Sequence, residues 1–320
     1  HPHPLAFAYW VRGLIIIVLQ KSQKVGRVLG DSQKIRVYSH YHLLEHKQKI
    51  TIMKKPYLAI IAIGALFTSL ALSSFSSLPT LFLGRKVANN AYQTGEILKY
   101  RIHYGPVNAG LVSMSVLPQS TIINGKNTYT LRVEGETLKS FDWAYKVRDK
   151  FESWVDQESQ APLRYAKTVR ENNYFHQDVA IYDHDNKKLR NKQGELTIPA
   201  YTQDIASAIY YLRNLDYTNA TIGKQFPVDV YIDNQVYSLP ITYKGKEVIK
   251  TDLGKIRCIK IKPKLVVDRV FKHADALTVW VTDDANHIPV RIEGQIYVGS
   301  IKVDLVQHQG LKNAFSAKVL

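Results

Sequence analysis

The sequence predicts a mainly β protein: a large antiparallel sheet curled into a barrel or half-barrel, with one main helix at about 203–215 covering an edge or mouth. Three observations predict it. Polar and apolar residues alternate with period two in run after run, the connections are short and rich in turn residues, and a single stretch carries the helical period.

The first strand is "EILKYRIHYG", in which Ile97, Lys99, Arg101 and His103 alternate with Leu98, Tyr100, Ile102 and Tyr104. "GLVSMSVL" sets Leu111, Ser113, Ser115 and Leu117 against Val112, Met114 and Val116. Period two over eight residues marks half-buried strands. Gly105, Pro106 and Gly110 punctuate the tight connection between them. "NTYTLRVEG" and "APLRYAKTVRE" follow, joined by the aromatic and charged stretch "SFDWAYKVRDKFESWVD". Further strands are expected at "NYFHQDVAIYD", "FPVDVYID", "VYSLPITYKG", "KIRCIKIKP", "ALTVWVTDD", "IPVRIEGQIYVG" and "SIKVDLVQ". Connections such as "DNQ" and "DDANH" point to antiparallel hairpins. The exception is "TQDIASAIYYLRNLD", where Ile205, Ala208, Ile209 and Leu212 recur at helical spacing. Thr202 offers a cap there, and Arg213 stands near the end of the helix where a cation is favoured. With one helix and a dozen strands there are no crossovers for a parallel sheet.

Ahead of this body lie two different segments. From Met53 the chain reads two lysines, an apolar run from Tyr57 to about Leu72, and then small residues, with Ala71/Ser73 or Ser74/Ser76 as the small pair before cleavage. That is the build of a secretory signal over 53–76, and it predicts a periplasmic or secreted protein. The competing reading is an uncleaved inner-membrane signal anchor, since the apolar stretch extended to Leu78 reaches far enough, and membrane contact is expected only through this segment and only if it is uncleaved. No cysteine follows the run, so a lipoprotein is not expected. Residues 1–52 are basic and without clean period, and are expected to be upstream read-through. His40, His42 and His46 lack acidic or thiolate companions, so no metal site is expected from them. A linker is expected over 77–93 and a single β domain over 94–320.

The formal charge is +16, which suggests nucleic acid at first sight. Residues 1–76 hold ten Lys/Arg against Asp31 and Glu45, which leaves 33 basic and 25 acidic residues, about +8, for the rest. That excess is scattered and lacks basic–aromatic motifs, so nucleic acid is not expected as a partner. A lone cysteine, Cys258, rules out an internal disulfide and a cysteine-based metal site. Arg257 and Lys260 beside it could lower its thiol pKa, yet a buried core thiol is the plainer expectation.

The body lacks the common catalytic signatures. Phosphate-binding glycine loops, Gly-x-Ser-x-Gly and His-Glu-x-x-His are all missing, so neither a cofactor nor a catalytic residue is expected. "NGKNT" reads as a hairpin turn. "DHDNKKLRNKQGE" begins like a calcium loop at Asp183 and Asp185, but Lys187, Lys188 and Gly194 occupy the next required positions, which makes it a solvated turn. Asp283 and Asp284 sit where a hairpin wants them. Two stretches hold the candidate ligand-binding residues: Trp143, Tyr145, Arg148 and Asp149 in the first, and Asp204, Ser207, Tyr211 and Arg213 in the second. Arg148 and Asp149 are expected either to pair or to line a polar pocket with Asp204 and Arg213, where helix meets sheet. Strand-edge ion pairs and an aromatic core are the structural alternative.

Across "GEILKYRIHYGPVNAG", "VRDKFESWVD", "QDIASAIYYLR", "GKEVIKTDLGKIRCIKIKP" and "LTVWVTDDANHIPVRIEG" the chain resembles the domain-of-unknown-function 3108 (DUF3108) family of exported bacterial proteins, over about residues 94–306. The resemblance implies an exported protein with an antiparallel, barrel-like fold similar to the YmcC-like fold of capsule-operon lipoproteins. It implies no activity and brings no catalytic positions. Unlike those lipoproteins, this chain lacks a lipidation cysteine. The functional expectation is therefore a non-enzymatic cell-envelope module that binds a lipid, a glycan or an envelope protein. The alternatives are a hydrolase of envelope polysaccharide or peptidoglycan using acids such as Asp149 and Asp204, and a purely structural partner in an envelope complex.

Overall fold

The computed structural model describes residues 84–264, 275–296 and 299–319. The expected read-through, the signal segment and residues 77–83 of the expected linker lie outside the described residues. So do His40, His42 and His46.

Among the described residues, eighteen strands and one α-helix follow in chain order. They are β1 (Ile97–Tyr104), β2 (Val107–Val116), β3 (Thr121–Ile123), β4 (Lys126–Thr137), β5 (Arg148–Asp156), β6 (Pro162–Glu171), β7 (Tyr174–Asp183), β8 (Lys188–Asn191) and β9 (Gly194–Thr197). Then come α1 (Ile205–Arg213), β10 (Gln225–Phe226), β11 (Asp229–Ile232), β12 (Gln235–Ser238), β13 (Ile241–Thr251) and β14 (Gly254–Pro263). The last are β15 (Leu277–Thr282), β16 (Pro289–Gln295), β17 (Ser300–Gln309) and β18 (Lys318–Val319).

Sixteen of the strands form one antiparallel sheet in the order β10-β13-β14-β15-β16-β17-β1-β2-β4-β5-β6-β7-β8-β9, with β3 on β4 and β18 on β14; β11 and β12 pair separately. The expected barrel closure is not formed. Closure requires the two end strands to pair, and β10 and β9, of two and four residues, stay apart, so the sheet is open and not strongly curled.

The alternation is realised as expected in β1, where Leu98, Tyr100 and Ile102 are fully buried. The expected hairpins also form. Asn124 and Gly125 take positive φ between β3 and β4, and Asp233 and Asn234 do so between β11 and β12, the left-handed pairs that two-residue hairpins need. Between β15 and β16, Asp284 accepts hydrogen bonds from the Thr282 hydroxyl (2.7 Å) and the Asn286 amide (3.0 Å). Two expectations are corrected. The stretch read as a joining segment contains β5, and the stretch read as a solvated turn contains β8 and the start of β9.

The helix is shorter than expected. Its cap is Asp204 rather than Thr202, in a reciprocal box with Ser207. It packs most extensively on β5, then on β4 and β11, and its Leu212 shares an apolar cluster with Phe226 of the end strand β10. Its residues join each of three apolar clusters: Tyr210 with β1, β2 and β17; Leu212 with β13, β14 and β15; Ala206 with β5, β6 and β7. Within 84–93, which has no regular structure, Ala91 and Tyr92 are buried in the first cluster.

Candidate functional site

β5 alternates strictly, so its consecutive candidates separate. Asp149 is buried, while Arg148 is half-buried on the other side of the strand. Arg148 therefore pairs not with Asp149 but with Asp142 (2.7 Å) and, at 3.5 Å, with Glu136. The Asp149 carboxylate accepts the Arg170 amide at 2.9 Å through Oδ1, and its Oδ2 is buried without a hydrogen-bond partner. Burial drives its pKa up to about 7; the Arg170 amide opposes the shift and the nearby Glu171 charge adds to it. Glu171, on β6, accepts the Tyr145 hydroxyl at 2.8 Å, and burial raises its pKa too despite that bond. The sequence reading named Asp149 and Tyr145 but missed Glu171, the residue that brings them into one cluster. Trp143 lies in the connection between β4 and β5, exposed, with its indole N–H donating to the Ser140 carbonyl at 3.0 Å.

The helix candidates serve other ends. Asp204 is fully buried, accepts the Ser153 hydroxyl from β5 at 2.6 Å and the Ser207 amide at 2.8 Å, and so joins helix to sheet. Burial raises its pKa to about 6 against those donors. Tyr211 is half-buried, its ring centroid 5.2 Å from the Arg85 guanidinium. Arg213 is buried and forms a bidentate pair with Glu96 (2.5 and 2.8 Å). The expected shared polar pocket of Arg148, Asp149, Asp204 and Arg213 is therefore not assembled, because each of the four is committed to a different partner.

There is nonetheless a pocket where helix meets sheet. It is apolar, about 70 Å³, and lies between Ile205 and Ile209 of α1 and the sheet residues Tyr100, Val112, Met114, Val133, Phe151 and Ile292. None of the eight candidates lines it. The signals that mark its lining were in the sequence, in the i, i+4 spacing of Ile205 and Ile209 and the alternation of Val112 and Met114, but strands remote in sequence supply the rest.

A second, polar groove of about 710 Å³ lies at the C-terminal end of β7, where Lys126, Lys188 and Arg190 mix with Asp183, Asp185 and Glu195. His184 borders it as a neutral ring. Its Nε2 donates to the Pro162 carbonyl (2.7 Å), its Nδ1 accepts the Tyr201 amide (3.1 Å), and burial lowers its pKa. Asp183 accepts the Asn186 amide at 3.0 Å, so this is a turn. Among the described residues no group of three or more His, Cys, Asp or Glu is arranged to hold a metal, and no helix is long and apolar enough to cross a membrane.

No curated protein matches the chain. Among solved structures, it is similar to a β-barrel-like protein of the domain of unknown function DUF1849 from Brucella abortus, at TM-score 0.45 and 11% identity, covering 71% of this chain and 98% of that one. It is also similar to a candidate exported protein with a YmcC-like fold from Bacteroides fragilis (TM-score 0.31, 9% identity, 70% and 99% covered). A candidate lipoprotein from Parabacteroides distasonis gives TM-score 0.31 and 12% identity, with 70% and 99% covered. The sequence profile of the family described as "Protein of unknown function (DUF3108)" matches residues 99–306, well over half of the chain and within the span of the resemblance read from its motifs. The chain belongs to the DUF3108 family.

Proposed function

We propose that this is an exported cell-envelope protein, periplasmic or secreted, that works without catalysis by holding the apolar part of a lipid-like ligand between α1 and the sheet. The observation that carries the reading is the apolar pocket under Ile205 and Ile209. Close-packed interiors leave few voids larger than a water, and an apolar void excludes water in favour of hydrocarbon. At about 70 Å³ the pocket suits a chain end or a methyl branch; a longer chain requires α1 to lift. The leader from Met53 supports export. The hydrolase reading loses support at Asp204, whose carboxylate is buried and occupied by Ser153 and Ser207.

Native mass spectrometry of the protein recovered from its own envelope tests this. A co-purifying lipid that is lost in Ile209→Phe, with the melting temperature kept, supports the proposal. Ligand-free protein, or lipid retained by the filled pocket, defeats it. A co-purifying sugar would favour a glycan module instead, for which the mixed-charge groove around Lys126 and Asp183 is the supporting observation.

A further inference from the structure

We infer that one end of the β domain docks end-on against an anionic phospholipid bilayer, independently of what the apolar pocket holds. Among the described residues, three aromatic side chains are more than half exposed: Trp143 (68%), Tyr174 (58%) and Phe175 (57%). Although 31 positions separate Trp143 from Tyr174 in the chain, all three fall at the same end of the sheet. Trp143 is in the connection leaving β4, and Tyr174 and Phe175 open β7 directly after the turn from β6. The two connections are tied together. The Asn172 amide donates to the Lys146 carbonyl (2.8 Å), and the Lys146 amide donates to the Asn172 side-chain oxygen (2.8 Å). The Tyr145 hydroxyl bonded to Glu171 adds a third link.

The approach must be end-on. Tyr174 and Phe175 are consecutive in a strand and point to opposite faces of the sheet, so a partner lying on either face meets one and misses the other. A surface met by the tip of the sheet reaches both, and Trp143 with them. Charge selects the surface. Lys139, Lys146 and Arg170 are exposed in the same connections and at their borders. Of the acids there, Asp142 is engaged by Arg148 and the Thr137 hydroxyl, Glu171 is buried and engaged by Tyr145, and Glu136, half exposed at the end of β4, lies 3.5 Å from the Arg148 guanidinium. Amphipathic rings flanked by lysine and arginine fit the headgroup zone of an anionic leaflet, where rings reach the acyl boundary and cations meet phosphates. The Arg170 guanidinium, 5.2 Å from the Phe175 centroid, already combines the two on adjacent strands.

The full chain carries an apolar leader that can hold it on vesicles by itself, so the test reads position rather than attachment. The chain has four tryptophans; one variant keeps Trp143 alone (W10F, W154F, W280F) and another keeps Trp154 alone (W10F, W143F, W280F). Each is mixed with phosphatidylglycerol–phosphatidylcholine vesicles whose acyl chains are brominated, and fluorescence quenching is measured. The expected result is quenching of Trp143 about threefold or more above that of Trp154. Lys139→Glu with Lys146→Glu, or high salt, should weaken that quenching on phosphatidylglycerol while leaving the melting temperature unchanged. Trp143 quenched no more than Trp154, on vesicles that retain the protein or on vesicles that do not, overturns the inference. So does quenching indifferent to both lysines and to lipid charge.

Discussion

Arg213, at the last turn of α1, and Glu96, immediately before β1, form a fully buried bidentate ion pair across 117 positions of sequence. The guanidinium also donates to the Ala91 carbonyl (2.9 Å) and the Asn286 carbonyl (3.0 Å), so one side chain ties the entry segment, the helix and the β15–β16 turn. Burial alone would lower the Arg213 pKa; the paired carboxylate reverses that and raises it. Removing one partner leaves a charge stranded away from water, which costs about 3–5 kcal/mol. Glu96→Gln and Arg213→Met should each lose stability of that order in urea denaturation, and the double variant should lose much less than the sum. Additive losses would show that the two residues act separately.

Asp149 makes the fold sensitive to pH. Its carboxyl titrates near 7 in the native state and near the ordinary 3.8 when unfolded. Between those values the native protein keeps a proton that the unfolded chain has released. Its contribution is therefore complete below about pH 4 and is lost as pH rises to about 7. Asp149→Asn keeps the oxygen that accepts the Arg170 amide and removes the titration. The variant should show a flatter urea midpoint between about pH 4 and 7 and be more stable than the parent at pH 8, by an amount on the order of a few kcal/mol at most. Parallel pH profiles for the two proteins would contradict the burial argument.

At Asp204 the shape of the side chain matters more than its charge. Asn can still cap α1 through its one oxygen, with its NH2 in the place of Oδ2 donating to the Ser153 hydroxyl instead of accepting from it, whereas Ala can do neither. Asp204→Asn is expected to fold as well as the parent. Asp204→Ala should lose about 1–2 kcal/mol or more in chemical denaturation, since it also leaves the buried Ser153 hydroxyl without its acceptor. If Asn is as damaging as Ala, the ionised carboxylate has a further role, and the hydrolase reading regains ground.

These residues also mark what can be read from sequence. β1 was legible because its two faces differ, Leu98, Tyr100 and Ile102 inward and Lys99 and Arg101 outward. β5 was not, because Asp149 and Ser153 face the interior and break the apolar half of the pattern. The helix announced itself through Ile205, Ile209 and Leu212; its cap, the Asp204–Ser207 box, is local and was passed over for Thr202, while the bond from Ser153 that ties Asp204 to the sheet comes from a strand 51 residues away. β8 and β9 were masked by their charged, exposed side chains. Hairpin signals report only neighbours in the chain, so nothing in them told whether β9 and β10 meet, and closure was wrongly expected. The apolar pocket needs six strands and a helix in register, an arrangement no local period encodes.

Cys258 provides the last test. Its neighbours Arg257 and Lys260 could have favoured the thiolate, but a buried core thiol was the plainer expectation, and both cations are engaged elsewhere: Arg257 bonds the Ser316 carbonyl (2.8 Å), and Lys260 pairs with Glu247 (3.2 Å). The thiol is fully buried and donates to the Ile256 carbonyl at 3.5 Å. Burial, reinforced by the charges of Glu247 and Asp283 and opposed by Arg291, pushes its pKa up to about 12. At pH 8 a disulfide reagent should react with the native protein more slowly than with the denatured chain by on the order of a thousandfold or more. The residual rate should follow unfolding as denaturant is added. Rapid labelling of the folded protein would mean that β14 and β15 open readily, and it would return this thiol to the set of chemically competent groups.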